Sequence, residues 1–200
     1  MKLSVIILDF EKSTRVLKNV AALLAQKTDF DFEIVVAVNA ATDSKKRKFD
    51  SLAGNPRVKF IFNSENLGYP RGVNRAVANS RGEILAIVNP DLICPDENSL
   101  AKIVAKIESD DSIGVLAPRQ IRETDRKTEM TARAFPKLSN QIARRTFLRQ
   151  IPFFKKRVEF DEMQHLDFDR EQNVDWLQSS FWIVRRNFWS ELGGLDERFF

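Results

Sequence analysis

The chain has 200 residues, of which 43% are hydrophobic and 30% are charged, and its formal net charge is +4. This composition is enough for one sizeable hydrophobic core and excludes an intrinsically disordered chain. No apolar stretch reaches the about 20 residues that span a bilayer, and Met1-Lys2 leads directly into a strand-like run, so we expect a cytoplasmic protein without a signal peptide.

Strand-like apolar runs alternate with segments of helical periodicity along the first half of the chain. In the first helical segment Val16, Val20 and Leu24 recur at the spacing of one helix face. This alternation predicts an α/β fold with a mostly parallel central sheet flanked by helices. The predicted strands are Leu3–Leu8, Glu33–Val38, Val58–Phe62, Ile84–Val88 and Ile113–Ala117.

The first predicted strand is followed by Asp9, Phe10 and Glu11 and not by a glycine-rich turn, since all seven glycines lie at or after Gly54. Dinucleotide-binding folds and nucleoside-triphosphatase loops need glycine where the backbone approaches phosphate, so the sequence argues against both. Nucleotide binding here would rest on side chains and a metal ion. Asp9 and Glu11 could accept hydrogen bonds from a base or ribose, or they could cap the following helix.

A second polar segment, Asn66–Asn74, follows the third predicted strand and runs into a helix. Arg71 at such a helix start favours an anion. Gly68 and Gly72 allow tight turns or a close approach of the backbone. The amides of Asn66 and Asn74 could brace the loop or bind sugar hydroxyls.

The tripeptide Asn89-Pro90-Asp91 ends the buried strand Ile84–Val88. Pro90 lacks the N–H that would continue a ladder, so Asp91 is expected near solvent at the carboxyl edge of the sheet, where open α/β sheets bind ligands. A carboxylate there can hold a divalent cation such as Mg2+ against a diphosphate. Alternatively the tripeptide only makes a turn, because all three residue types are common in turns.

The alternation breaks down between about Pro118 and Asn173, and this irregular stretch is predicted to be an insert for acceptor recognition without a second core. Between Glu129 and Glu159 it has basic but no acidic residues, interleaved with aromatic and aliphatic ones. Such a segment suits an anionic membrane surface or a polyanion, or it is a solvated face over an apolar stripe. The basic residues are Arg133, Lys137, Arg144, Arg145, Arg149, Lys155, Lys156 and Arg157.

Four residues outside these motifs carry simpler expectations. His165 is the only histidine and has no second metal ligand nearby in the sequence, so a surface role is expected. Cys94 is the only cysteine, which excludes an intrachain disulfide and predicts a buried, reduced thiol. Trp182 and Trp189 are expected to pack in the core.

Taken in chain order, four landmarks resemble the family 2 glycosyltransferases, particularly the bacterial branch with rhamnosyltransferases that act on polysaccharide or lipid-linked acceptors. The match spans nearly the whole chain. The landmarks are Leu3–Leu8, Asn66–Asn74, Arg81-Gly82-Glu83 leading to Asn89-Pro90-Asp91, and Val174-Asp175-Trp176 leading to Gly193–Phe200.

The resemblance implies a GT-A fold as a single domain over 1–200. Its parts would be a nucleotide-sugar-binding half at 1–117, the insert at 118–173 as an acceptor or membrane-surface region, and the incomplete start of an acceptor half at 174–200. The implied activity transfers a hexosyl or deoxyhexosyl group, with inversion, from a nucleoside-diphosphate sugar to a saccharide or lipid-linked acceptor. Such an enzyme would serve cell-wall or polysaccharide biosynthesis at the inner face of the membrane.

The resemblance also implies roles for single residues. Asp91 would match the last acid of an Asp-x-Asp-like motif and bind Mg2+ or Mn2+ at the donor diphosphate, with Asn89 in place of the first acid. Asp175 would orient the acceptor or act as a base, and Trp176 would offer it an apolar face. The other implied donor-binding residues are Asp9, Phe10, Glu11, Asn39, Asn66, Gly68, Arg71 and Asn74.

Two departures from the family pattern leave a second hypothesis open. Val38 stands where the family usually has an acid that contacts the base, and the sequence stops at Phe200, before the Glu-Asp pair that supplies the general base. The alternative is a non-catalytic or truncated nucleotide-sugar-binding module. Nucleic-acid binding through Arg133–Arg157 is not expected, because no nucleic-acid motif accompanies the basic residues.

Overall fold

The computed structural model describes residues 1–135, 137–161, 163 and 166–199. His165 lies outside these residues, so its predicted surface role is not addressed. The chain forms two compact units, of which the first contains Met1–Leu116 and the segment from Ser179 onward, and the second contains Ala117–Gln178. The predicted insert, 118–173, falls inside the second unit.

Strands and helices alternate along the first part of the chain, as predicted. In chain order they are β1 (Leu3–Asp9), α1 (Ser13–Leu24), β2 (Phe32–Val38), α2 (Asp43–Arg47), a 3-10 turn (Asp50–Leu52), β3 (Val58–Phe62), α3 (Gly68–Ala78), β4 (Ile84–Val88), α4 (Ser99–Glu108) and β5 (Val115–Leu116).

The remaining elements are shorter. They are β6 (Gln120–Ile121), β7 (Thr128–Glu129), β8 (Ala132–Arg133), α5 (Leu138–Arg145), a 3-10 turn (Phe147–Gln150), α6 (Pro152–Asp161), β9 (Trp176–Leu177), β10 (Phe181–Arg185) and α7 (Arg186–Glu191).

One six-stranded sheet, with the order β3-β2-β1-β4-β10-β5, organises the first unit. β1 pairs in parallel with β2 and β4, β2 pairs in parallel with β3, and only β10 runs antiparallel to its neighbours β4 and β5. The predicted mostly parallel sheet is confirmed. Because the chain moves outward from β1 to β2 and β3 and then returns to place β4 on the other side of β1, the sheet has a topological switch point between β1 and β4.

Both faces of β1 are buried, which explains why the strand is apolar along nearly its whole length. Leu3, Val5 and Ile7 point into one buried cluster with residues of α1 and α4, whereas Ile6 joins residues of α3 in the cluster on the opposite face. A strand covered by helices on both faces reads as a continuous apolar run. Trp189 is buried in the second cluster, and Trp182 packs against it, as expected.

Three expectations are corrected by the structure. The fifth strand is shorter than predicted, since only Val115 and Leu116 reach β10 for pairing. Cys94 is partly rather than fully buried, although burial still raises the pKa of its thiol to about 11. The second unit contains a small core of its own, built around Ala132, Ala134 and Met163. Sequence periodicity does not show this core because its members come from widely spaced segments.

Helices α5 and α6 of the second unit leave apolar side chains exposed. Among the helices that the structure describes, none is both long and apolar enough to cross a membrane.

Candidate active site at the carboxyl edge of the sheet

Backbone hydrogen bonds fix the end of β4 and thereby the place of Asp91. The Asn89 N–H donates to the Ser180 carbonyl at 2.8 Å, and the Asn89 carbonyl accepts from the Asn19 side-chain amide at 3.1 Å. Pro90 then turns the chain out of the sheet. The Asp91 side chain is left 32% exposed, just beyond the switch point, as the sequence predicted.

Asp91 forms ion pairs with two basic residues near the start of α1. Lys12 Nζ lies 3.0 Å from Asp91 Oδ2, and Arg15 Nη1 lies 3.3 Å from the same oxygen. Burial raises the pKa of the Asp91 carboxyl, but the hydrogen bond and charge of Lys12, helped by the charge of Arg15, outweigh it and hold the pKa below its usual value. The carboxyl is therefore ionised at neutral pH.

Lys12 and Arg15 were not among the residues predicted for the site. The sequence offered one signal for them, their positive charge at a helix start, because the positive end of a helix dipole disfavours cations. Two basic residues at a helix start therefore call for an anionic partner. Which anion they meet depends on a contact across 79 and 76 positions of sequence, which no local pattern reveals.

Asp9 is fully buried at the end of β1 and is hydrogen-bonded to the first residues of α1. Its Oδ1 accepts a hydrogen bond from the Lys12 N–H and its Oδ2 accepts one from Ser13 Oγ, both at 2.8 Å. These bonds tie the end of β1 to the start of α1, and a role of Asp9 in binding the donor stays a prediction. The next residues are exposed: the Phe10 ring lies under Lys45 Nζ at 5.5 Å, and Glu11 adopts a left-handed backbone with φ of 60°.

A network of side-chain amides joins the ends of β2 and β3 to the start of α3. Buried Asn39 donates from Nδ2 to Asn66 Oδ1 at 3.0 Å and to the Gly68 carbonyl at 3.3 Å, and its Oδ1 accepts from Asn63 at 2.9 Å. Asn66 Oδ1 also accepts from the N–H of Gly68, whose φ of 73° is left-handed. The network holds this loop in one conformation, and sequence analysis missed Asn63.

Arg71 and Asn74, on α3, contact the segment after α7. Asn74 Nδ2 donates to the Leu195 carbonyl at 2.8 Å and to Glu197 at 3.0 Å, while its Oδ1 accepts from the Leu195 N–H at 2.9 Å. Arg71 Nε lies 3.7 Å from Glu197 Oε2. Asn74 therefore braces the segment, and Gly194 is needed there, because a Cβ would lie 2.7 Å from Asn74 Oδ1.

Asp175 and Trp176 belong to the second unit, at the pairing of β8 with β9. Asp175 Oδ2 accepts a hydrogen bond from the Phe135 N–H at 2.9 Å, and Trp176 Nε1 donates to the Ala134 carbonyl at 3.1 Å. The Trp176 side chain is nevertheless 42% exposed, so an apolar face remains open to solvent.

Each unit also has a basic cavity. The cavity in the first unit, of about 400 Å³, is lined by Glu11, Lys12, Ser13, Thr14, Arg15 and Lys48. The cavity in the second unit, of about 360 Å³, is lined by Lys137, Lys156, Arg157, Phe160 and Asp161.

The chemistry around Asp91 fits a divalent cation that is shared with a ligand. Within the described ranges, no three His, Cys, Asp or Glu side chains come together as a complete metal site. Mg2+ in phosphate-binding sites, however, is commonly held by one or two carboxylates, with the substrate phosphates supplying further oxygens. A single carboxylate beside a diphosphate meets that requirement, provided that Lys12 and Arg15 release its Oδ2.

Comparisons with known proteins show the family of the chain. The family model described as "Glycosyl transferase family 2" matches residues 4–187. "Uncharacterized glycosyltransferase YfnE" of Bacillus subtilis is 30% identical over 115 residues, which are 58% of this chain and 29% of that protein. "N-acetylglucosaminyl-diphospho-decaprenol L-rhamnosyltransferase" of Mycobacterium tuberculosis is 26% identical over 197 residues, which are 92% of this chain and 62% of that protein. The chain thus spans less than two thirds of either relative.

Solved structures of glycosyltransferases share the fold. The mannosyltransferase PcManGT from Pyrobaculum calidifontis, in complex with GDP-Man and Mn2+, superposes with a TM-score of 0.62 at 17% identity, covering 98% of this chain and 48% of that one. TarS 1-349 of S. aureus, in complex with UDP-GlcNAc, gives 0.54 at 22% identity, covering 66% and 38%. The fold is GT-A, as predicted, and the chain belongs to glycosyltransferase family 2.

Proposed function

We propose that this protein transfers a hexosyl or deoxyhexosyl group from a nucleoside-diphosphate sugar to a saccharide or lipid-linked acceptor. The observation that carries the proposal is the position of Asp91, an ionised carboxylate beside the switch point of a family 2 glycosyltransferase sheet. The names of the relatives support the two substrate classes: one is named for transfer to a diphospho-decaprenol, and two structural neighbours are complexes with GDP-Man and UDP-GlcNAc.

The proposed role of the donor site is to stabilise the negative charge of the leaving nucleoside diphosphate. When a nucleoside diphosphate leaves, negative charge develops on its oxygens. Mg2+ or Mn2+ bound at Asp91 would neutralise part of that charge. Asn89, one residue before Pro90, is proposed to contribute its amide to the same site. The amide network of Asn39, Asn66 and Gly68 would hold the neighbouring loop in place for the nucleotide.

The acceptor side of the reaction is proposed to involve the second unit. In an inverting transfer, a carboxylate removes the proton of the acceptor hydroxyl as that oxygen attacks the sugar. We assign Asp175 to orienting the acceptor and Trp176 to packing against it, because the indole face is exposed while its N–H is bonded. The general base is proposed to follow residue 200, where the family resemblance places a Glu-Asp pair.

A membrane-surface contact is proposed for the second unit, which would place the enzyme at the inner face of the membrane. We call the exposed residues of α5, α6 and the turn between them the α5–α6 surface. Its apolar side chains include Leu138, Phe147 and Phe153, which are 79%, 75% and 59% exposed. Exposed Lys155 and Lys156 add positive charge to it. Apolar side chains amid positive charges suit an anionic lipid surface.

A donor screen tests the proposed activity against the alternative of a non-catalytic module. The full-length protein is incubated with a panel of nucleoside-diphosphate sugars and Mg2+ or Mn2+, and thermal shift is recorded first and donor hydrolysis second. The enzyme hypothesis predicts that one donor both stabilises the protein and is hydrolysed. Stabilisation with neither donor hydrolysis nor transfer to any acceptor offered would favour the binding module. If no donor stabilised the protein, both hypotheses would be contradicted.

A further inference from the structure

Lys12 and Arg15 contribute little to the stability of α1, the helix at whose start they lie. Both lie near the amino end of α1, whose dipole repels positive charge, and the N–H of Lys12 is already satisfied by Asp9. Their side chains are 48% and 63% exposed, and exposed ion pairs contribute only about 0–1 kcal/mol to stability. Folding therefore gives little reason for two cations at this place.

The ion pairs with Asp91 are also easy to exchange. Both cations approach the same oxygen, Oδ2, at the edge of solvent. A stronger anion in reach of Lys12 and Arg15 would compete with Asp91 for them, because a diphosphate carries more charge than one carboxylate and accepts more hydrogen bonds.

The surroundings of the two cations suit such an anion. Lys12 and Arg15 line the first-unit cavity of about 400 Å³ together with a third cation, Lys48. The hydroxyl-bearing residues Ser13 and Thr14 are also in its wall, and Glu11 is the one acid among its lining residues within the described structure. Because Lys12 and Arg15 of this basic cavity pair with the Asp91 carboxylate, positive charge for a diphosphate lies next to an oxygen ligand for a divalent cation.

We propose that Lys12 and Arg15 bind the diphosphate of the donor and, while no diphosphate is bound, occupy Asp91 in place of a divalent cation. This inference rests on the proposed function and deepens it. Diphosphate binding draws the two side chains away from Asp91 Oδ2 and frees that oxygen for the metal ion. Metal and diphosphate then strengthen each other's binding, and the coupling is reciprocal because it is a free energy between two sites.

The proposal predicts opposite effects of one double variant on two ligands. In Lys12→Met/Arg15→Met the competitors of the metal ion are gone, so Mn2+ alone should bind about three- to tenfold more tightly, the range expected for two exposed ion pairs. Inorganic pyrophosphate without metal should bind at least about tenfold more weakly, because two charge-assisted contacts are lost. Free Mn2+ is measured by electron paramagnetic resonance, and pyrophosphate binding by calorimetry.

Two further variants make the result specific. Lys18→Met removes one charge from the exposed side of the same helix and should change neither affinity. Adding Asp91→Asn to the double variant should abolish the gain in Mn2+ affinity. The proposal is overturned if the double variant binds Mn2+ no better than the wild type, including the case in which neither binds, or if it binds pyrophosphate equally well.

The outcomes separate this inference from the proposed function. If Asp91→Asn removes Mn2+ binding but Lys12→Met/Arg15→Met changes neither affinity, only the inference fails. If Asp91→Asn leaves Mn2+ binding intact, the assignment of the metal to Asp91 fails as well.

Discussion

At the scale of single residues, the structure shows that the polar landmarks do two kinds of work. Asn39, Asn66 and Asn74 use their amides mainly to hold loops, whereas Asp91 and its cations are accessible to a ligand. Sequence analysis identified these asparagines and Asp91 from residue type and position after a strand. Asn63, Lys12 and Arg15 were not identified, because their partners are distant in sequence and the basic residues at a helix start indicate only that some anion pairs with them.

Tyr69 gives a test of this residue-level picture, because it is the only tyrosine in the chain. Burial raises the pKa of its hydroxyl, which donates a hydrogen bond to the Ser179 carbonyl at 3.1 Å. The folded protein should therefore show a tyrosine pKa above the ordinary value of about 10 when absorbance is followed from pH 8 to 12.

The sign of the accompanying stability change follows from linkage. Because the raised pKa favours the neutral hydroxyl in the folded state, Tyr69 contributes stability below the unfolded pKa, and that contribution is lost as the pH rises through the folded pKa. Denaturation in guanidinium chloride should return the titration to its ordinary value. A folded protein that titrates at or below that value would contradict the burial of Tyr69.

At the scale of elements, apolar patterning was enough to predict β1 to β4, but not the antiparallel strand β10 or the second unit. β1, β2 and β4 are buried apolar runs and β3 is a partly exposed one, and their alternation with helices already indicates parallel pairing. β10 pairs with β4 across about 95 positions, and the core of the second unit joins residues of separate short segments. Contacts of that kind leave no periodic signal in the sequence.

The Arg81-Gly82 landmark illustrates how a family motif can serve packing. Ser4 Oγ accepts a hydrogen bond from the Gly82 N–H at 2.7 Å and donates one to Glu33 Oε1 at 2.8 Å. The same Glu33 oxygen accepts from the Arg81 N–H at 2.6 Å. The motif therefore joins the turn before β4 to the starts of β1 and β2.

Gly82→Ala is predicted to destabilise the protein, because a Cβ would lie 2.3 Å from the backbone N of Ser4. We expect a loss of about 1–3 kcal/mol in the free energy of unfolding, as for other overpacked sites. Gly54→Ala is the matched control, since a Cβ there meets nothing within 4 Å. The urea unfolding midpoints of the two variants are compared. Equal midpoints for Gly82→Ala and Gly54→Ala would contradict the close packing at Gly82.

At the scale of the whole molecule, the two units are proposed to divide the work between donor and acceptor. The first unit has the switch-point edge with Asp91, and the second has Asp175, Trp176 and the α5–α6 surface. The sequence indicated the unusual composition of 118–173 but not the helices within it. Their apolar residues Leu138, Ile142 and Phe153 are exposed, whereas α1 and α4 bury their apolar faces against the sheet.

Vesicle sedimentation tests the α5–α6 surface. The protein should sediment with anionic vesicles and not with neutral ones, and Lys155→Glu/Lys156→Glu should weaken anionic binding by at least about tenfold, since each basic residue near such a surface contributes about 1 kcal/mol. Lys18→Glu/Lys27→Glu reverses two exposed charges of the first unit and is the control. Equal binding to both vesicle types would contradict the proposed membrane contact.

The proposed function depends most directly on Asp91 as the carboxylate that holds a cation against the donor diphosphate. Calorimetric titration of the identified donor into Asp91→Asn, with and without Mn2+, measures that role. Asp96→Asn is the matched control, because Asp96 follows the same strand but pairs with Lys102. We predict that Mn2+ strengthens donor binding to the wild type and to Asp96→Asn but not to Asp91→Asn. If Asp91→Asn bound the donor as tightly as the wild type both with and without Mn2+, the proposed role of Asp91 in metal binding would be contradicted.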